Sequence, residues 1–386
     1  MGGGTVASGR VSSPRHVLLN ALFLDPAASG GPETYLRGLA PALHAARPDV
    51  ALTIATTRAG ARALRDDGWD AWATIRELPC DEGQRGRRQL AEQVLLPLLA
   101  RRAKADVVHS LASVAPIRVP GIAHAITLHD VTFFRMRTFN AVTTWGMQQV
   151  VSRAARHADR LIAVTAAARD EIVAELGLPP ERFVVVHHGA TRPDPVEPAP
   201  EAEVRRRHGL DGHRVVLCVA SKRPHKNQEL LVRAAARLDG DVAIVLAGHP
   251  EPYDAELRRL AADLGVQDRV RFADYVPDAE LEALWRIAGV AAFPTRAEGF
   301  GMPVLEALAR GVPVACSDLP VLREVSGGLA RTFPPDDPEA AASAIAGALR
   351  DPGDAATAGP AWAGRFTWRA AAEGTLETYA KACTSA

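Results

Sequence analysis

Short apolar, β-branched runs alternate with stretches of helical period along nearly the whole chain. In the first half, His16–Leu22, Val50–Ala55, Asp106–His109, His124–Leu128 and Arg160–Val164 read as strands. Helical patterns follow several of them, one being Ala166–Leu176, closed by Gly177 ahead of Pro179-Pro180. After Val184–His187 the rhythm breaks. Thr191–Pro200 carries Pro193, Pro195, Pro198 and Pro200 among acidic residues, a composition that suits a linker. A second series then runs through Val215–Val219, Ala243–Ala247, Val270–Ala273, Ala288–Phe293 and Val312–Ala315, with helical segments between. Alternation of this kind predicts βα units stacked around parallel sheets, here two doubly wound domains joined near residues 190–205. No short internal repeat favours a solenoid.

Length agrees with that division, since 386 residues exceed one ordinary core. A zero formal charge gives no global argument for nucleic acid as a partner. The charge is unevenly shared: 22 basic against 17 acidic residues up to position 190, and 23 against 28 beyond it. Cys80, Cys218, Cys316 and Cys383 are scattered, without metal or redox spacing, and predict a reducing compartment. Residues 1–15 are rich in Gly and Ser and contain no apolar run, so a disordered leader is expected rather than a signal peptide. With no stretch apolar enough to span a bilayer, a cytoplasmic location is expected. From Arg85 to Lys104, six basic residues and a single acidic one, Glu92, surround the apolar Val94–Leu99. Such a segment is a core-facing helix with solvated ends or a surface that rests on an anionic membrane; the first account is taken here.

Ligands of open α/β sheets sit at the carboxyl ends of the strands, so polar strings directly after a strand carry the chemistry. The most specific is Arg296-Ala297-Glu298-Gly299-Phe300-Gly301-Met302-Pro303-Val304-Leu305-Glu306. Gly299 and Gly301 let backbone pass close to a ligand, and Pro303 suits the first turn of a helix ending near Gly311. Glu306 is expected in that first turn, where the helix dipole favours an ionised carboxylate able to accept two hydrogen bonds from a ribose diol. A second string, Val219-Ala220-Ser221-Lys222-Arg223-Pro224-His225-Lys226-Asn227, crowds three cations at the positive end of a helix starting near Asn227. A bound diphosphate would remove that conflict, and Lys226 is the best placed charge for it. Ser29-Gly30-Gly31-Pro32-Glu33 stands between the first strand and the first helix as a phosphate-approaching loop or a plain tight turn. Thr127-Leu128-His129-Asp130 ends a strand with a polar pair, functional or structural. Metal-ligand spacing of the His-Glu-x-x-His kind is absent.

Together these strings resemble the retaining glycosyltransferase family 4, the glycosyl transferases group 1 of GT-B fold, from about His16 to Tyr379. The carriers are the Glu298/Glu306 pair, Gly30-Gly31, His129-Asp130, Pro224–Asn227 and Ala243–Gly248. The resemblance implies two Rossmann-like domains facing across a cleft: an acceptor domain over 16–190, a linker over 191–205 and a donor domain over 206–362. A C-terminal segment, 363–386, with Trp368 and Tyr379 would cross back as a helix onto the first domain. It further implies that Glu306 holds the ribose, and that Glu298, with the amides of Gly299, Phe300 and Gly301, contacts the donor sugar. Lys226 would neutralise the leaving diphosphate, which Gly30 and Gly31 approach. His129 would lie near donor and acceptor, with Asp130 toward the acceptor, and Arg271–Val276 would line the nucleobase. Relatives carry a further cation ahead of the matching lysine in a longer loop; here Lys222 or Arg223 would take that place.

The implied activity is metal-independent transfer of a hexosyl group, with retention and no cofactor beyond the nucleotide-sugar co-substrate. Glu92-Gln93 through Pro97, with His129-Asp130 and Pro224–Asn227, looks like bacterial transferases using mannose or deoxyhexose donors. GDP-mannose is therefore the expected donor, with UDP-sugars as the other choice. The acceptor stays open between a saccharide, a lipid-linked carrier and a small natural product. A sugar-nucleotide epimerase of similar architecture and a non-catalytic nucleotide-sugar binder are the competing classes. Acceptor-dependent release of nucleoside diphosphate separates them from a transferase.

Overall fold

The fold is seen in a computed structural model that describes residues 13–25, 30–80, 85–135, 141–190 and 196–385. Ser29, Pro193, Pro195 and most of the expected leader lie outside the described residues. The first sheet comprises β1 (His16–Ala21), β2 (Ala51–Thr56), β3 (Thr74–Glu77), β4 (Val107–Ser110), β5 (Ala123–Leu128), β6 (Arg160–Ala163) and β7 (Phe183–Val185). The second comprises β8 (Arg214–Val219), β9 (Val242–Ala247), β10 (Val270–Ala273), β11 (Ala288–Phe293), β12 (Val314–Ser317) and β13 (Ala330–Phe333). The strand orders are β3-β2-β1-β4-β5-β6-β7 and β10-β9-β8-β11-β12-β13. Every pairing in both sheets is parallel, from His16 opposite Ala51 to Ser317 opposite Phe333.

Continuous burial of β5 and β9, six buried residues of six in each, is what a strand covered by helices on both faces requires. Two strands escape the pattern reading, β3 and β13. Both lie at sheet edges and bury little, β3 turning only Ile75 inward and β13 only Phe333. With one inward side chain each, no alternation is left to recognise.

The chain forms two compact units. One holds the sequence to Val164, Ala168–His187 and the terminal segment from Trp368; the other holds Thr165–Ala167 and His188–Thr367. Residues 196–200 carry no regular structure, and a helix then occupies Glu201–His208, inside the stretch read as linker. Within the first unit the last helix, Trp368–Cys383, lies on the first, Gly31–Ala46. Trp368 covers Gly38 so closely that a Cβ there would stand 2.0 Å from the indole. Tyr379 reaches the buried centre of the sheet, where its hydroxyl and Nδ1 of His109 share a 2.7 Å hydrogen bond. Nε2 of His109 meets the Thr127 hydroxyl at 2.8 Å, and that hydroxyl meets Tyr35 at 3.1 Å. One polar chain thus ties β4, β5 and both helices together.

The stretch from Arg85 is helical in three pieces: Arg85–Leu90, a π-helical turn over Ala91–Leu95, and Leu96–Ala103. Ala91, Leu96 and Ala100 face the core, as the core-facing reading expects. A second stripe does not: Leu90, Val94 and Leu98 are 62%, 46% and 45% exposed.

Candidate active site

Each sheet reverses its winding once, between β1 and β4 in the first and between β8 and β11 in the second. Loops leaving adjacent strands in opposite directions open a crevice at such a point. In the second unit both polar strings found in the sequence leave the strands that flank it, one after β8 and one after β11.

Side chains and amides between these loops bring them side by side. Pro224–Lys226 forms a single 3₁₀ turn, and Asn227 follows at φ +58° before the helix Gln228–Ala235. Asn227 is fully buried and donates from Nδ2 to the carbonyls of Pro294 and Pro335, both at 2.8 Å. Arg296 N–H donates to the His225 carbonyl at 2.8 Å, and the Thr295 hydroxyl lies 3.1 Å from the same oxygen. Held this way, Lys226 Nζ donates to Glu298 Oε2 at 2.6 Å. The two side chains are 23% and 21% exposed, enough for a ligand to reach the pair. Asn227 entered the sequence reading only as a helix start and the end of a motif, and Thr295 not at all. The signal available was an Asn directly before a helix, which the left-handed region tolerates better than most residues.

Beyond Glu298 the backbone turns sharply into the helix Met302–Ala309, with Pro303 in its first turn. Gly301 has φ +90°, a backbone conformation that strains any other residue, and a Cβ on it would stand 2.6 Å from Leu322 Cδ2 and push that side chain aside. Two expectations for this unit need correcting, those for Glu306 and Lys222. Glu306 is the fifth residue of its helix, past the first turn, so the dipole argument for its ionisation weakens. Phe300 is turned into the protein, edge-on to His188 at 4.7 Å and to Phe366 at 6.2 Å. Lys222 is wholly buried: its ammonium donates to the Gly248 carbonyl at 2.6 Å and stands 3.7 Å from Asp254 and 3.5 Å from Asp274. It ties together the loops after β8, β9 and β10 instead of facing a ligand. Arg223 is exposed and paired with Glu251 at 2.7 Å.

In the first unit, Gly31 opens the helix that follows β1, and the Gly30 carbonyl accepts from the amides of Glu33 and Thr34. Gly30 is extended, and a Cβ on Gly30 or Gly31 would meet nothing within 4 Å. Among the described residues nothing demands glycine at either position. His129, just past β5, donates from Nε2 to the Leu111 carbonyl at 2.8 Å, and its ring stands edge-on to Tyr35 at 5.1 Å. Burial pushes its pKa down, which favours the neutral ring. Asp130 accepts from the Thr132 amide at 2.8 Å and so caps the short helix Thr132–Arg135, a local structural duty.

Two doubly wound parallel sheets, with polar groups gathered at the switch point of the second, define an α/β protein of the GT-B type. The description "Glycosyltransferase Family 4" matches residues 29–191, and "Glycosyl transferases group 1" matches residues 200–361. The chain is 35% identical over 270 residues to D-inositol 3-phosphate glycosyltransferase of Thermobispora bispora, covering 63% of this chain and 59% of that protein. To the Kineococcus radiotolerans protein of the same name it is 32% identical, covering 74% of this chain and 68% of the relative. It is 29% identical to MMP alpha-(1->4)-mannosyltransferase of Mycolicibacterium hassiacum, covering 74% of this chain and 72% of that one. Among solved structures, Anabaena HepE in complex with UDP and glucose shares the fold with a TM-score of 0.73 at 19% identity, covering 94% of this chain and 99% of that chain. The chain belongs to the group 1 glycosyl transferases of glycosyltransferase family 4.

Proposed function

We propose that the protein transfers a hexosyl group from a nucleoside-diphosphate sugar to a hydroxyl acceptor, with retention at the anomeric carbon and without a metal. The observation that carries this reading is the Lys226–Glu298 pair at the β8/β11 switch point, beside the glycine turn that enters the helix Met302–Ala309. As the bond between the anomeric carbon and the diphosphate breaks, negative charge grows on the leaving oxygens. An ammonium held in place by a neighbouring carboxylate is already oriented, so it stabilises the transition state more than the ground state. Glu298 and the amides of the glycine turn contact the sugar hydroxyls, Glu306 holds the ribose, and Gly30 and Gly31 make room for the diphosphate. The acceptor oxygen attacks the anomeric carbon from the face the diphosphate leaves, and its proton passes to a departing phosphate oxygen. No cofactor is required beyond the co-substrate.

GDP-mannose is the proposed donor, supported by a relative named as a mannosyltransferase, and a UDP-sugar is the alternative, supported by the UDP complex of a structural neighbour. A saccharide or glycoconjugate hydroxyl is the proposed acceptor class. The test presents GDP-mannose and UDP-glucose with candidate acceptors and follows release of nucleoside diphosphate. Release that ignores the acceptor, or no release with any donor, defeats the reading.

A peripheral membrane position is favoured by one further observation. Leu90, Val94 and Leu98 recur every four residues on the exposed side of the Arg85–Ala103 helices, among exposed Arg87, Arg101 and Arg102. The segment's acidic residue, Glu92, is buried, so the outer face is apolar and basic only. Among the described residues no helix is long and apolar enough to cross a membrane. Co-sedimentation with vesicles of one-third phosphatidylglycerol, absent with phosphatidylcholine alone and lost in Leu90→Ser/Leu98→Ser, is the expected result. Equal binding to both vesicles, or none, removes the proposal.

A further inference from the structure

Glu92 and Gln93 lie on the π-helical turn Ala91–Leu95, and the transfer chemistry leaves both without a role. A π turn inserts a residue into the helical repeat and so re-aims the side chains it carries. These two are aimed at the ends of β1 and β4, at the switch point of the first sheet. Glu92 is 2% exposed, and its Oε1 accepts a long 3.4 Å bond from Asn20 Nδ2, the last residue but one of β1. The same amide donates to the Ser110 hydroxyl at the end of β4, also at 3.4 Å, and Asn20 Oδ1 accepts from the Leu22 amide. Oε2 of Glu92 is buried and has no hydrogen-bond partner among the described residues. A buried carboxyl so thinly bonded is costly to keep, and an apolar residue would fill the place at less cost. Gln93 uses both ends of its amide on the loop after β4: Nε2 donates to the Ala115 carbonyl and Oε1 accepts from the Ile117 amide, each at 2.9 Å.

Between these two anchors sits Leu111. Its amide donates to the Asn20 carbonyl at 3.4 Å, and its carbonyl accepts from His129 Nε2 at 2.8 Å. The carbonyl that orients the histidine therefore hangs on a loop held at one end by Asn20 and Ser110, against Glu92, and at the other by Gln93.

We propose that Glu92 and Gln93 are positioning residues that fix the loop after β4 and, through the Leu111 carbonyl, hold the His129 ring in one tautomer, with Nε2–H bonded and the ring edge-on to Tyr35. The inference rests on the proposed function and on the placement of His129 near donor and acceptor that the family resemblance implies. Neither residue touches substrate; each acts at one remove. Gln93→Ala deletes both bonds to the loop, whereas Glu92→Gln keeps shape and volume while changing the carboxyl that faces Asn20.

The test combines ¹⁵N NMR of histidine-labelled full-length protein with kinetics. In the wild type His129 is expected as the neutral Nε2–H tautomer. In Gln93→Ala, and more weakly in Glu92→Gln, its two nitrogen shifts should move toward a mixture of tautomers. Turnover should fall about ten-fold, the cost of one ordinary hydrogen bond, while the dissociation constants of GDP and UDP stay unchanged. An Nδ1–H tautomer in the wild type overturns the inference, as do unchanged His129 shifts in both variants. Should the wild-type chain bind neither GDP nor UDP, the proposed function fails, and the NMR arm still decides whether the loop orients His129.

Discussion

At the residue scale, the proposed chemistry narrows to one ion pair. Glu298→Ala would leave the Lys226 ammonium without its orienting partner and remove the contact proposed to the donor sugar. Transfer should be lost while the protein melts as the wild type does. Lys226→Ala removes the charge opposite the leaving diphosphate, and turnover should drop about 10²-fold, the usual worth of one preorganised group of this kind. Retention of near-normal turnover in steady-state assays would take either residue out of the mechanism. Titrating groups in the first unit give a third expectation. Burial pushes His109 down to about 3 and His124 down to about 4, and lowers His129 as well. In the unfolded chain these rings charge near 6.5, so unfolding takes up protons below that pH. Each ring contributes stability that is present above about 6.5 and lost as pH falls toward its folded value, at up to about 1.4 kcal/mol per pH unit. Glu92 works the other way: burial raises it to about 7, so its contribution is full below its ordinary value and lost as pH rises to 7. Three rings outweigh one carboxyl, and thermal melts should show the first unit losing stability from pH 7 to pH 5. A melting temperature that stays level or rises over that range contradicts the assignment.

At the element scale, the last helix is part of the first unit's core despite its distance along the chain. Tyr379 ends a buried chain of hydrogen bonds through His109 and Thr127 to Tyr35. Tyr379→Phe keeps the ring and leaves Nδ1 of His109 unbonded inside the protein, at a cost of about 1–3 kcal/mol. Urea unfolding monitored in the wild type and the variant measures this directly, and an unchanged midpoint would show the chain of bonds to be energetically idle. Strand content was legible where burial is two-sided, since β9 is apolar at all six positions and β5 at four of six. It was illegible at β3 and β13, where an edge position exposes the alternate residues to solvent and removes the selection for an apolar pattern. Helix starts were placed within a residue or two by Gly, Asn and Pro, yet that small error moved Glu306 from the first helical turn to the second.

At the scale of the whole molecule, two sheets of the same winding carry different duties under the proposed function, and the charge handling belongs to the second. If Lys226 supplies the only cation the reaction needs, nucleoside diphosphate release in excess chelator should match release without it; a rate restored only by added magnesium or manganese defeats metal independence. The family, the paired sheets and the strings after β8 and β11 could all be read from sequence, because each depends on residue type and near spacing. Charge in a string is another matter. Lys222, Arg223 and Lys226 read alike along the chain, and only their tertiary neighbours separate them. Lys222 is buried against Gly248, Asp254 and Asp274, Arg223 lies out with Glu251, and Lys226 meets Glu298 seventy-two residues away.

The order of polar and apolar residues by itself determined a doubly wound α/β chain with its ligand groups after particular strands, because periodicity and turn chemistry act over a few residues. Which lysine is buried and which stays accessible, which carboxylate pairs with it, and that Phe300 packs inward were decided by tertiary structure alone. Burial and ion pairing depend on groups brought together from distant positions, and no local spacing records them.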